Sequence, residues 1–295
     1  MTDTLETLQR QLGGASDLKS VVRSMKALAA SSIGQYEKAV VALVDYDRAV
    51  RLGLTACLKK RAVATTNRPG RTGVTPTTVL VFGSDQGLVG QFNDSLAEFV
   101  ANEMASTAGP KTVWAVGEHV QSRLLDVGMP ATTLFLVPTA VSAISTVVGK
   151  IFVESDKARA AVPGAHFYVF YNRREKHVAY EPSRLQLLPL DDAWAARLAQ
   201  APWPTNMVPE ALGDPEATLE ALIREHLFVS LFKACAESLA AENASRLLAM
   251  QRAERNIDEL MATLQQTFRR LRQTAIDEEL FDVVAGYEMI GSVER

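Results

Sequence analysis

The segment Gly83-Ser84-Asp85-Gln86-Gly87-Leu88-Val89-Gly90 lies between an apolar run and a helical stretch, where many α/β proteins bind nucleotide phosphates. Its glycine spacing fits neither G-x-G-x-x-G nor the Walker pattern, and no Lys-Ser/Thr follows Gly90. A tight turn held by backbone contacts is the simpler reading. Ser84, Asp85 and His119 supply the residue types of a hydrolytic triad, without the strand–turn context that exposes a nucleophile. The four histidines, His119, His166, His177 and His226, form no i, i+4 pair and have no companion cysteines, which predicts surface or strand histidines rather than a metal site. Cys57 and Cys235 show neither CxxC spacing nor a metal-ligand pattern, and their apolar helical surroundings predict buried free thiols in a reducing compartment. The expectation is no catalytic residue, no cofactor and no metal.

Three regions of different period must position whatever function remains. From Leu5 to about Lys60 the pattern is helical: Leu5, Leu8, Leu12, Leu18, Val22, Met25, Ala29 and Ser32 recur mostly at three- and four-residue steps. Such a stripe is as narrow as a coiled-coil seam. Gly13-Gly14 interrupts it and predicts a weak spot, each glycine costing about 1 kcal/mol relative to alanine. A Thr/Pro/Gly/Arg-rich stretch at 61–76 reads as a linker.

Residues 77–190 alternate short β-rich runs with helical ones, which predicts a mostly parallel sheet, Rossmann-like in plan. Strands are expected at Thr78–Phe82, Thr112–Val116 and Thr132–Val137, with helices at Asp94–Ala105, His119–Val127 and Thr139–Lys157. His166–Tyr171 and His177–Leu188 flank the polar turn Asn172–Lys176 and predict an antiparallel addition. Pro202, Pro204, Pro209 and Pro215 mark a second linker at 191–215.

From 216 to 295 only Gly286 interrupts a helical pattern up to about Met289. Ile257, Leu260, Met261, Leu264, Phe268, Leu271 and Ala275 again form a seam. Roughly 75 residues of helix at 1.5 Å each would span about 110 Å, beyond the usual globular helix. The fold class expected is α/β plus long α: an antiparallel coiled coil of N- and C-terminal helices (1–60 and 216–295) with an inserted Rossmann-like α/β domain.

Composition is ordinary for a globular chain: 295 residues, 47% hydrophobic and 22% charged. A net charge of −3 and a pI of about 5.9 argue against a general nucleic-acid binder. No apolar signal core opens the chain and no run of 18 apolar residues exists, so neither secretion nor direct membrane insertion is expected. Charge along the helices is more informative. Arg246, Arg252, Arg255, Arg269, Arg270 and Arg272 lie among Glu254, Asp258 and Glu259 on the C-terminal helix, and Arg10, Lys19, Arg23 and Lys26 on the N-terminal one. Two readings stay open: a solvated flank with i, i+4 pairs, or a basic track that slides past acidic partner surfaces. The last residues are apolar on several faces (Ile276, Leu280, Phe281, Val283, Val284, Tyr287, Met289 and Ile290), and a helix end of that kind belongs inside a partner.

Three separated segments resemble the gamma (central shaft) subunit of rotary F-type ATP synthases. Asp17–Ala30 resembles the family's N-T-x-K-I-T-K-A-M-K-M-V-A-A, most clearly at Arg23, Met25, Lys26 and the closing alanines. Gly83–Asn93 is similar to T-S-D-K/R-G-L-C-G-x-F/L-N. Ala241–Met250 and Arg272–Gly286 resemble S-E-x-A-A/S-R-M-x-A-M and R-Q-A-x-I-T-x-E-I/L-x-E-I-x-x-G. Directly, these cover roughly a quarter of the chain; the order of elements extends the likeness over nearly all of it.

The resemblance implies a non-catalytic rotor that couples ion transport to ATP synthesis or hydrolysis. It implies as partners the alpha and beta subunits of the catalytic hexamer, the epsilon subunit and the membrane c-ring, at the cytoplasmic face of the bacterial inner membrane. Carried over, the partner-contact residues are Arg23, Met25, Arg272, Gln273, Asp277, Glu279 and Asp282. Asp277 and Asp282 replace the family's Thr and Glu, Leu18, Ser20 and Val22 replace polar residues near Met25, and Gln86 and Val89 replace a basic residue and a Cys. These departures and the acidic pI leave open a divergent second-copy synthase and the coupling ion, proton or sodium. Two alternatives stand beside the rotor: an enzyme or nucleotide-binding protein built on the middle domain, which predicts a phosphate loop, and a coiled-coil scaffold, which predicts a polar, self-sufficient end.

Overall fold

A computed structural model describes residues 4–61, 75–161, 164–175, 179–190, 192–209 and 213–293. The element order is α1 (Leu5–Arg61), β1 (Thr77–Phe82), α2 (Phe92–Ala105), β2 (Lys111–Val116), α3 (Glu118–Asp126), β3 (Ala131–Phe135), α4 (Val141–Ala161), β4 (His166–Arg173), β5 (Glu181–Leu188), α5 (Asp192–Gln200) and α6 (Pro215–Val293). The chain divides into two compact units: Met1–Leu28 with Leu247–Arg295, and Ala29–Arg246.

Both long helices start at side-chain caps. Thr4 Oγ1 accepts the Thr7 amide at 3.3 Å, and Asp214 Oδ1 accepts the Glu216 amide at 3.0 Å with Pro215 in the first turn, where its missing N–H costs nothing. Helix α1 runs unbroken through Gly13-Gly14, so the expected weak spot leaves no interruption.

In the larger unit the sheet order is β3-β2-β1-β4-β5. β1 pairs in parallel with β2 and β4, β2 in parallel with β3, and β5 closes one edge antiparallel to β4. Side chains alternate across it as the strand period requires. Val79, Val81, Val113, Ala115 and Phe170 pack on one face under α2 and α3, against Leu96, Val100, Val120 and Leu124. Leu80, Phe82, Trp114, Val116 and Val169 pack on the other under α4 (Ile144, Val148, Ile151), with Tyr36 of α1 and Leu227, Leu231 and Leu239 of α6. Strands buried on both faces read as continuous apolar runs, which is why β1 is legible as TTVLVF.

The antiparallel addition is present, but β5 begins at Glu181; the expected start at His177 lies outside the described residues. Most of the linker expected at 61–76 also lies outside them, and the segment expected as a linker at 191–215 contains α5. Cys235 is buried and burial pushes its thiol pKa up, whereas Cys57 is only half-buried: it lies at the margin of a small cluster built on Val50, Leu54 and Leu219.

Candidate functional site

The loop after β1 is consumed by its own contacts. Ser84 donates its amide to Asn93 Oδ1 at 3.0 Å, and Asn93 Nδ2 returns a bond to Ser84 Oγ at 2.8 Å. Ser84 Oγ donates to the Gln86 carbonyl at 2.8 Å. Asp85 accepts the amides of Glu118 and Val137, each at 3.1 Å, tying the β1 loop to the start of α3 and the end of β3. The Asn93 amide also sits 3.1 Å from His119 Nδ1, so Asn93 stands between serine and histidine and the three triad residue types form no nucleophile–base pair. Gly83 is required here: a Cβ would lie 2.2 Å from Val120 Cβ.

The mouth of the sheet is closed by α6. Ser238 Oγ donates to the Phe82 carbonyl at 3.0 Å, Ser245 Oγ to the Val89 carbonyl at 2.5 Å, and Ala241 packs with Val89 and Phe92. In open α/β sheets ligands enter beyond the strand C-termini, at the switch in strand order. Here a packed helix takes that position. Among the described residues no group of three His, Cys, Asp or Glu is placed to hold a metal ion, and no helix is long and apolar enough to cross a membrane.

The remaining candidate is the smaller unit, in which the N-terminal part of α1 pairs with the C-terminal part of α6. Arg23 Nε donates to Glu254 Oε1 at 2.8 Å, Lys26 reaches Glu254 Oε2, and Lys19 reaches Asp258. Numbers rise on one helix as they fall on the other, so the pair is antiparallel. The two donors, Arg23 first and Lys26 next, hold the Glu254 carboxyl well below the usual range, at about 2. From residue 253 onward the partially shielded positions on α6 are Ala253, Glu254, Ile257, Met261, Leu264, Thr267, Phe268, Leu271 and Ala275. Leu260, expected in this seam, is 52% exposed. On α1, Leu8 and Ala15 are buried while the expected Leu18 is 60% exposed, because the three- and four-residue steps from Leu8 and Leu12 pass through Ala15 and Lys19. Lys19 therefore enters the seam and finds Asp258.

That geometry revises the charge reading. Lys19, Arg23 and Lys26 are neutralised across the helix pair rather than along one helix, and Arg246 bonds the buried Glu242 at 2.5 Å, away from any surface track. Arg252, Arg255, Arg269, Arg270 and Arg272 remain exposed. Of the partner-contact candidates, Met25 is half-buried; Arg23, Arg272, Gln273, Asp277, Glu279 and Asp282 are exposed, and Gln273 donates to Asp277 at 2.9 Å. The 19–258 and 23–254 pairings, continued at equal rise, place Leu5 opposite about Arg272. Beyond it Leu280, Phe281 and Val283 are 62–72% exposed. Sequence reasoning counted Glu254 and Asp258 as flank charges; their role was invisible without the interhelical register.

A family model described as ATP synthase matches residues 4–290. This chain belongs to the ATP synthase gamma-chain family. The gamma chain of Geotalea uraniireducens is 25% identical over 97% of this chain and 99% of its own length, and that of Nitrosomonas eutropha is 26% identical over 95% and 97%. Among solved structures, the rotor of the Euglena gracilis mitochondrial ATP synthase aligns with TM-score 0.61 at 15% identity, over 92% of this chain and 98% of that one. A second Euglena gracilis structure, of its OSCP/F1/c-ring, aligns at 0.64 and 14% over 99% and 96%. The gamma chain is the non-catalytic central-stalk component of a rotary, peripherally membrane-associated complex, and that is the role of this one.

Proposed function

We propose that the gamma chain carries torque through its helix pair, between a membrane c-ring and epsilon subunit near the α/β domain and an alpha/beta hexamer around the helix tips, at the cytoplasmic face of a bacterial inner membrane. The supporting observation is the far end of α6, where Ile276, Leu280, Phe281, Val283 and Val284 stay 47–72% exposed beyond the pairing segment of α1. Apolar surface of that extent on one helix needs a sheath. Arg272, Gln273, Asp277, Glu279 and Asp282 lie on the same segment and serve as its polar contacts to the hexamer; Arg23 and Met25 serve nearer the middle of the pair. Exposed charges slide past a partner at little cost, since surface ion pairs are worth only about 0–1 kcal/mol each. The mechanical division is 1–60 and 216–295 as shaft, 77–190 as foot, with 61–76 and 191–215 as connections.

Deletion of residues 276–295, followed by co-purification with alpha and beta subunits, tests the sheath. Loss of assembly with an intact α/β domain, judged by near-ultraviolet circular dichroism, is expected. Unchanged assembly overturns the placement of the tip.

A further inference from the structure

A cavity of about 440 Å³ opens in the larger unit between α1, β5, α5 and α6. That volume lies within the range of small-molecule sites, roughly 300–1,000 Å³. Its walls are apolar: Leu185 and Leu187 of β5, and Trp194 and Leu198 of α5. The charged groups among its described lining residues are both cations. Arg51 and Arg197 line it, together with His226 and Ser230, and none of the described residues that line it is acidic.

The charge count is specific. Arg51 is matched by Asp47, whose Oδ2 lies 2.9 Å from the Arg51 Nε. Arg197 has no ion-pair partner among the described residues. His226 adds no charge at neutral pH, because burial and then the Arg51 guanidinium hold its pKa below the ordinary value, against a smaller opposing effect of Asp47. Its Nδ1 is buried with no hydrogen-bond partner among the described residues, and its ring lies 5.3 Å from that of Trp194. An unpaired buried ring nitrogen costs free energy until something bonds it. Among the described residues the cavity thus presents one uncompensated cation, one unmet nitrogen and a flat apolar wall.

We infer that this cavity binds a small monoanion with a flat apolar body: a carboxylate headgroup on the Arg197 and Arg51 guanidiniums, its ring between Trp194 and the β5 leucines. A guanidinium fork takes a planar carboxylate through two parallel N–H donors. A phosphate monoester, carrying up to two charges, would leave the second uncompensated. Its described lining residues all belong to the larger unit, and none of them takes part in the contacts that fill the mouth of the sheet.

Isothermal titration calorimetry of the full chain at pH 7.5 with 1-naphthoate, 1-naphthylmethanol and 1-naphthyl phosphate tests it. One site for 1-naphthoate is expected, with the neutral alcohol and the Arg197→Gln variant each binding about tenfold more weakly or worse. Arg51→Gln gives a smaller loss in the same direction. Both arginines are exposed, so folding, checked by circular dichroism, is unaffected. No binding of 1-naphthoate at millimolar concentration overturns the proposal. So does equal affinity for the alcohol, indifference to Arg197→Gln, or tighter binding of the phosphate.

Discussion

Arg23 Nε lies 2.8 Å from Glu254 Oε1, two residues 231 positions apart in the chain. With Lys26 on the other oxygen, a single carboxylate gathers two cations of the facing helix, and with the Lys19–Asp258 pair it sets the register of the helix pair. Because its folded pKa is depressed from 4.5 to about 2, its contribution is complete above the upper value and is lost as pH falls through the lower one. Glu254→Gln is expected to lower the thermal midpoint at pH 7, by less at high salt, and the difference should shrink progressively between pH 4.5 and 2. Melting followed by circular dichroism across that window checks it.

Glycines in the two units predict opposite outcomes. At Gly13 and Gly14 an added Cβ meets nothing within 4 Å, so alanine at each should stabilise the helix by about 1 kcal/mol. At Gly83 the Cβ would sit 2.2 Å from Val120, and Gly83→Ala should destabilise by about 1–3 kcal/mol. Urea unfolding of the three variants separates them.

Asn93 clamps the β1 loop by bonding Ser84 through both ends of its amide. Asn93→Ala strands the buried Ser84 amide, at a cost of about 1–3 kcal/mol. Hydrogen exchange at Ser84 should accelerate correspondingly; unaltered protection would show that another acceptor replaces the side chain.

At the exposed end of α6, Arg272→Ala with Gln273→Ala should leave the isolated chain within about 0.5 kcal/mol of its original stability, as surface changes usually do. In the assembled complex the same pair should reduce ATP-driven ion pumping several-fold. Pumping in reconstituted vesicles, beside unfolding of the free subunit, reads both.

His226 makes stability depend on pH in the acidic direction. Its folded pKa is lowered from 6.5, chiefly by burial, so as pH falls below that value the unfolded chain binds the proton first and stability declines. The slope ends once the folded state also protonates. His226→Gln should flatten the difference in urea midpoint between pH 7.5 and 5.5.

Much of the fold was legible because its signals are local. The apolar run of β1, the alternation of strands and helices and the uninterrupted pattern of α6 follow from side-chain periods within one element. The seam was legible only in part. Leu18 and Leu260 are apolar at nearly the right spacing, yet both are exposed, because the neighbouring Lys19 and Met261 occupy the seam positions. A helical stripe is defined to about one residue by its own sequence; the facing helix selects which of two adjacent positions turns inward. The β1 segment reads as a turn held by backbone contacts, but side chains of Ser84, Asp85 and Asn93 do much of the holding, and Asn93, ten residues beyond Gly83, carries no local signal of its role as the clamp.

By itself the sequence determined that both ends are helical, that the middle is a mostly parallel sheet, and that the family motifs sit in order on that frame. Those properties depend on residues within a few positions of one another. Only the tertiary structure decided that Glu254 gathers Arg23 and Lys26, that α6 fills the mouth of the sheet through Ser238 and Ser245, and that Arg51, Arg197 and His226 share a cavity. Each joins residues from different elements, and such meetings depend on register and packing, which no local pattern encodes.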